Sequence, residues 1–227
     1  MSHEMKGLYK LGGVAFIASG MLFLVRGVLE LEAGPPPSSG VDILAWVQSA
    51  KLLLSFVSEV LFFAAVALVP AVAALYFTLA ESERAKAVTG CGIIAVTIPI
   101  IAMSLVVHGR LVYPVYGISV TTPAVAEYSV AVFYGGMHAV GLMLGLATII
   151  LSLAMRRGPY GVGVAWLGFV TGALDIVGAY ADLIGPALTL VCQVFLAAWF
   201  VVVGAKLYRL PIAGVAMRPA SLPPGSA

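Results

Sequence analysis

Glu59, His138 and Asp175 each interrupt a long apolar run, where an ionisable side chain costs several kcal/mol unless it is paired or reached by water. A carboxylate and an imidazole sharing a low-dielectric pocket can pass a proton, hold a polar ligand or donate to a metal. Arg26, His108 and Gln193 fall at similar depths in neighbouring runs and complete a candidate polar cluster. The alternative is that Glu59, Asp175 and Arg26 pair with one another and tie helices together, with His138 hydrogen-bonded in the core. Among the six, His138 beside a carboxylate points most to function and Arg26 most to a structural pair.

The elements that must position these groups follow from composition. Of 227 residues, 62% are hydrophobic and 10% charged, and the mean hydropathy is +1.09, whereas soluble domains are near half apolar and a quarter charged. A helix crossing a bilayer needs about 20 mostly apolar residues. Six such spans can be drawn, at 9–29, 50–79, 86–108, 127–155, 160–180 and 186–208. Unbroken apolar runs of this length lack the two-residue alternation of a barrel, and helices satisfy their backbone groups within one segment. The expectation is an all-α polytopic membrane bundle with six transmembrane helices over residues 1–210. A disordered cytoplasmic tail is expected over 211–227, which is rich in proline, glycine and serine.

Depth and facing follow from spacing. At 1.5 Å per residue, Glu59 is roughly 12 Å past Lys51, His138 roughly 16 Å past Glu127 and Asp175 roughly 10 Å before Asp182. Small residues line helix contacts in membranes, and Gly161, Ala165, Gly168 and Gly172 lead to Asp175 on one stripe. Gly141 and Gly145 do the same for His138. Both side chains are expected to point into the bundle. Ser55, one turn before Glu59, marks a weakly polar stripe expected to avoid lipid.

Lys6, Lys10, Arg84, Lys86, Arg156, Arg157, Lys206, Arg209 and Arg218 fall on one side of the spans, against Arg26, Lys51 and Arg110 on the other. The positive-inside rule then places both termini in the cytoplasm. Glu30, Glu32, Asp42, Glu127 and Asp182 are read as decorating outer loops. The first span is longer than the apolar region of a secretory signal and ends in charges, so a retained anchor is expected.

The segment from Gly34 to Gly40 is an outer linker, and the connection from Arg110 to about Ala126, with Tyr113 and Tyr116, is expected to cap the bundle. Pro70 and Pro99 are expected to kink their spans; later spans have no internal proline to match, which argues against inverted repeats with broken helices. Cys91 and Cys192 fall too far apart for a disulfide. The absence of asparagine, with glutamine only at 48 and 193, leans towards a thermophile and excludes N-linked glycosylation. Scattered basic residues leave no nucleic-acid footprint.

Tyr9-Lys10-Leu11-Gly12-Gly13, Phe133-Tyr134-Gly135-Gly136-Met137-His138, Phe169 through Asp175 and the final helix from Gln193 through Trp199 to Gly204 together resemble the DUF4386 family of six-span membrane proteins. The resemblance covers most of the chain and implies the same bundle, with His138 and Asp175 as positions of interest. It implies no reaction. The chain departs from the family in carrying Gln193 where members often carry glutamate.

The functional expectation is a membrane-embedded binding or accessory protein, whose outer-half polar pocket takes a lipid, quinone or small amphiphile, or which docks to a membrane-protein partner. A proton-coupled transporter using Glu59, His138 and Asp175 is the rival from another class. An intramembrane metal-dependent hydrolase is the third, disfavoured because zinc sites recruit about three protein ligands. Residues alone assign no catalytic group, metal or cofactor.

Overall fold

The computed structural model describes residues 3–210; the expected tail at 211–227, with Arg218, lies outside the described residues. Seven helices follow in order: α1 (His3–Ala33), α2 (Gly40–Ser49), α3 (Lys51–Val112), α4 (Pro123–Met155), α5 (Val162–Gly178), α6 (Ala181–Ile184) and α7 (Pro186–Arg209). No strand occurs among the described residues beyond an isolated bridge between Val115 and Ile118. Four helices, α1, α3, α4 and α7, are long and apolar enough to cross a membrane, and α5 is a shorter apolar helix.

At 62 residues, a straight α3 would extend about 90 Å. Instead it breaks at Glu83, whose dihedrals (φ −142°, ψ 58°) leave the helical region. The Oγ of Ser58 lies 2.7 Å from Nδ1 of His108, and these residues stand equally far before and after Glu83. The helix therefore doubles back into two antiparallel arms, residues 51–82 and 84–112. Helical dihedrals continue through Pro70 and Pro99, since Glu83 alone departs within α3. The expected proline kinks do not break either arm, and the reversal falls in the charged Glu81-Ser82-Glu83-Arg84 segment, where exposed backbone can be hydrated.

The helices close into a ring. α1 packs on α7 and on the first arm, as Ser19 Oγ donates to the Ala64 carbonyl at 3.0 Å. The second arm packs on α4, with Gly90 against Leu151 and Gly136 against Ser104. α4 meets α5, and α5 meets α7. At the α4–α5 contact, a β-carbon on Gly145 would lie 2.8 Å from the Gly172 carbonyl oxygen, and one on Gly172 2.7 Å from that of Gly145. Backbone meets backbone there, which is why both residues lack side chains. Inside the ring Phe16, Phe133, Trp199 and Phe200 are fully enclosed, with Phe16 edge-on to Phe200 at 5.1 Å. Outside, Phe62, Phe63, Val69, Met103, Trp166 and Val194 are exposed. Helices apolar on every face suit lipid or a larger interior rather than water.

The two ends differ in charge. Glu83 accepts hydrogen bonds from Lys86 at 2.6 Å and Arg157 at 3.2 Å, and Lys10 stands 5.8 Å over the Tyr208 ring. These contacts gather the start of α1, the α3 reversal, the α4–α5 turn and the end of α7 at one end of the bundle. Lys6, Lys10, Arg84, Lys86, Arg156, Arg157, Lys206 and Arg209 all belong to it. The opposite end, bearing α2, carries Arg26, Lys51 and Arg110.

The Lys86 hydrogen bond holds the Glu83 carboxyl below its ordinary value of 4.5, helped by Arg157. A depressed carboxylate stabilises the fold above its unfolded pKa, and that contribution fades as pH falls through the folded value. Unfolding midpoints recorded between pH 6 and about pH 3 are expected to fall less steeply for Glu83→Gln than for wild type. Parallel curves would remove the role of this carboxylate.

At the other end, α2 occupies a stretch that the spans leave as linker. Ser39 caps it, its Oγ accepting from the Asp42 amide at 3.2 Å, and the Glu127 carboxylate accepts from the Gly40 amide at 2.6 Å. Trp46 Nε1 donates to the Ala33 carbonyl at 2.9 Å, fastening α2 to the end of α1. Ile43 and Val47 bury against Leu54, Val112, Ala126 and Val130. Glu127 is thus a capping group rather than a loop decoration. The 113–122 connection forms a tight exposed turn at Tyr116 (φ 51°) and Gly117 (φ 76°), with Tyr116 fully exposed, while Val120 packs against the cluster around α2.

Candidate functional site

α5 has only 17 residues and stops short of the α2 end, about 25 Å long at the helical rise. The chain then turns through α6 and enters α7 at Gly185 (φ 80°) and Pro186. A helix end leaves backbone carbonyls without partners. One of them, on Ala179, lies 2.8 Å from His138 Nδ1. A carbonyl only accepts, so Nδ1 carries the hydrogen of this bond, and Nε2 is the ring nitrogen left for another partner. Tyr180 packs edge-on against the same imidazole at 4.9 Å.

Beside this break, α1, α4, α5 and α7 enclose a cavity of about 130 Å³. Its polar lining is Arg26, Glu30, Tyr134, His138, Asp175, Thr189, Cys192 and Gln193, and its apolar wall includes Phe23, Met137 and Leu196. A wider cavity of about 720 Å³ adjoins it towards the α2 end and shares Glu30, Tyr134, His138, Thr189 and Gln193. Gly27, Pro35, Pro36 and Leu190 line its outer part. The two share part of their lining, and the larger reaches further towards the α2 end of the bundle. Gly27 makes room for Gln193, whose amide occupies the space that a β-carbon would need.

Four of the six sequence candidates, Arg26, His138, Asp175 and Gln193, therefore meet around one cavity. Arg26 is bound to Glu30, with Nη2 at 2.7 Å and Nε at 3.1 Å from the same carboxylate oxygen. Their side chains are only 10% and 18% exposed. Glu30 is thus part of the site and not a loop decoration; its i,i+4 spacing from Arg26 was the available signal. Asp175 is 7% exposed, and its Oδ2 has no hydrogen-bond partner among the described residues. Gln193 Oε1 is likewise buried and unpartnered. The pairing of Asp175 with Arg26 or Glu59 expected under the structural alternative does not form.

Two candidates stand elsewhere. Glu59 is exposed on the first arm of α3 and accepts a long hydrogen bond from Tyr113 at 3.4 Å. Ser55 donates to the Lys51 carbonyl, so the stripe expected to turn Glu59 inward does not hold. The reason is that α3 is apolar all round and one serine cannot select a face. His108 is buried, bonded to Ser58 and stacked on Phe133 at 4.2 Å, and lines neither cavity. It joins the two arms of α3 instead. Glu59, His138 and Asp175 consequently do not form a continuous relay.

Unpartnered polar atoms beside a largely apolar cavity can hydrogen-bond a guest molecule's polar group, while the walls take its apolar body. Cys91 and Cys192 are free and buried. Among the described residues, no group of three or more His, Cys, Asp or Glu side chains is placed to hold a metal ion. No protein-family model, curated protein or solved structure matches the chain.

Proposed function

We propose that this chain is a six-span protein of the cell membrane, with both termini in the cytoplasm, that binds a small amphiphile such as a lipid or quinone in the outer half of its bundle. The six spans are α1, the two arms of α3, α4, α5 and α7. The concentration of basic residues at the end holding both helix termini supports the orientation by the positive-inside rule. α5 is shorter than a hydrocarbon core, and α6 with Gly185 makes up the remaining depth. Such irregular backbone is tolerated inside a membrane where it lines a cavity.

The binding reading is supported by one observation: a cavity with a largely apolar wall is lined by Asp175 and Gln193, whose buried oxygens Oδ2 and Oε1 have no hydrogen-bond partner among the described residues. The larger cavity, about 720 Å³, falls in the size range of small-molecule sites. Resemblance to the DUF4386 family adds no activity to this reading. Association with a larger membrane complex would use the same cavities as a lipid- or cofactor-facing seam.

Native mass spectrometry after gentle detergent extraction tests it. Wild type is expected to retain one defined amphiphile, and His138→Ala and Asp175→Asn each to lose most of it at unchanged mass and monodispersity. Identical adducts on all three proteins, or none on wild type, would count against a binding site here.

A further inference from the structure

The charges around the two cavities do not balance, and this bears on what they hold. Their lining includes one guanidinium, Arg26, and three carboxylates, Glu30, Asp175 and Asp182. Arg26 is committed to Glu30 through two hydrogen bonds to a single oxygen. Among the described residues Asp175 therefore has no guanidinium or ammonium partner, although it is more than nine-tenths buried and one of its oxygens is unpartnered. Tyr134 and Cys192 share this lining and can offer a hydroxyl and a weak thiol donor but no cation. His138 turns Nε2 rather than Nδ1 to the cavity, because Nδ1 is bonded to the Ala179 carbonyl. Thr189 spends its hydroxyl hydrogen on the Gly185 carbonyl, and the Gln193 amide can turn either its oxygen or its nitrogen to a guest.

An ionised carboxylate in such surroundings persists only with a compensating positive charge or hydrogen-bond donors. An anionic or purely accepting headgroup would meet uncompensated negative charge. A protonated amine supplies the positive charge and the hydrogen-bond donors that Asp175 lacks. An inorganic cation would need several oxygen or nitrogen ligands in a closed shell, and no metal-binding group of three occurs among the described residues. The adjoining apolar chamber instead suits an organic tail.

We propose that the site selects lipophilic amines, with the ammonium group bound at the Asp175 carboxylate and the hydrocarbon tail in the wider cavity towards the α2 end. The proposal rests on the amphiphile-binding reading above and narrows it to one chemical class.

The test uses the full chain in phosphatidylcholine nanodiscs, with unfolding midpoints followed during titration by dodecylamine, dodecanol and dodecanoate. Three probes of one tail length separate the headgroup from the tail. Dodecylamine is expected to stabilise wild type with an apparent affinity about tenfold or more above that of dodecanol, as a charge-assisted hydrogen bond contributes. Dodecanoate should be weakest. In Asp175→Asn, a substitution of nearly equal shape, the preference for amine over alcohol should vanish while dodecanol still binds.

Equal affinities of the three probes for wild type would overturn selection by charge yet leave an amphiphile site standing. An amine preference that survives in Asp175→Asn would overturn the assignment to Asp175. If none of the probes raises the wild-type midpoint, the inference and the reading beneath it both fail. The ranking of the probes on wild type stands even if the variant folds poorly.

Discussion

Gly172→Leu is expected to destabilise the bundle by about 3 kcal/mol, the upper part of the usual range for overpacking a tight contact. The α4 and α5 backbones meet at this point, and a β-carbon on Gly172 would press on both the Gly145 carbonyl oxygen and the Ile149 side chain. Backbone cannot withdraw as a flexible side chain can, so the two helices must separate. The contact also fixes the cavity, because Asp175 on α5 and His138 on α4 are held to the same space by it. Gly163 on the same helix provides the control, since a β-carbon there meets nothing within 4 Å. Reversible unfolding in mixed micelles should show a large loss for Gly172→Leu and a change within about 0.5 kcal/mol for Gly163→Leu. Equal effects would mean that α4 and α5 are not in backbone contact.

Arg26→Leu carries the second large effect. It leaves the Glu30 carboxylate, with its side chain 18% exposed, without its guanidinium in a largely apolar wall. Breaking one side of a buried ion pair costs roughly 3–5 kcal/mol, whereas replacing both partners by apolar residues is often neutral. Partial exposure places the expected loss for Arg26→Leu near the lower bound, about 3 kcal/mol. The double variant Arg26→Leu/Glu30→Leu should recover most of it. A double variant no more stable than the single one would show that Arg26 acts through something other than Glu30.

Asp175 and His138 could be placed from sequence because the glycine stripes beside them record backbone contacts, and such contacts leave a spacing pattern. Gly145 opposite Gly172 is the physical origin of that pattern. Glu59 and His108 left no comparable trace. The arms of α3 are apolar on every face, so periodicity does not tell an inward position from an outward one. The bond between Ser58 and His108 depends on the reversal at Glu83, a contact between residues 50 positions apart that local spacing does not encode. α2 was missed because ten residues between proline-rich linker and a long apolar run give a weak helical signal. Yet Ser39 ahead of Asp42 and the apolar pair Ile43 and Val47 were there to find it. Glu30 was visible as the i,i+4 partner of Arg26 and was assigned to the loop only because span one was ended at residue 29, four residues before α1 stops.

An enclosed amphiphile site between α1, α4, α5 and α7 is tested most directly by photolabelling. Dodecylamine carrying a diazirine near the end of its tail, irradiated with the protein in phosphatidylcholine nanodiscs, can be mapped by peptide mass spectrometry. Labelling is expected on the cavity walls, at residues such as Val130, Tyr134 and Leu190, and should be displaced by unlabelled dodecylamine. Labelling spread over lipid-facing residues such as Phe63, Met103 and Leu146, with no displacement, would contradict a binding site within the bundle.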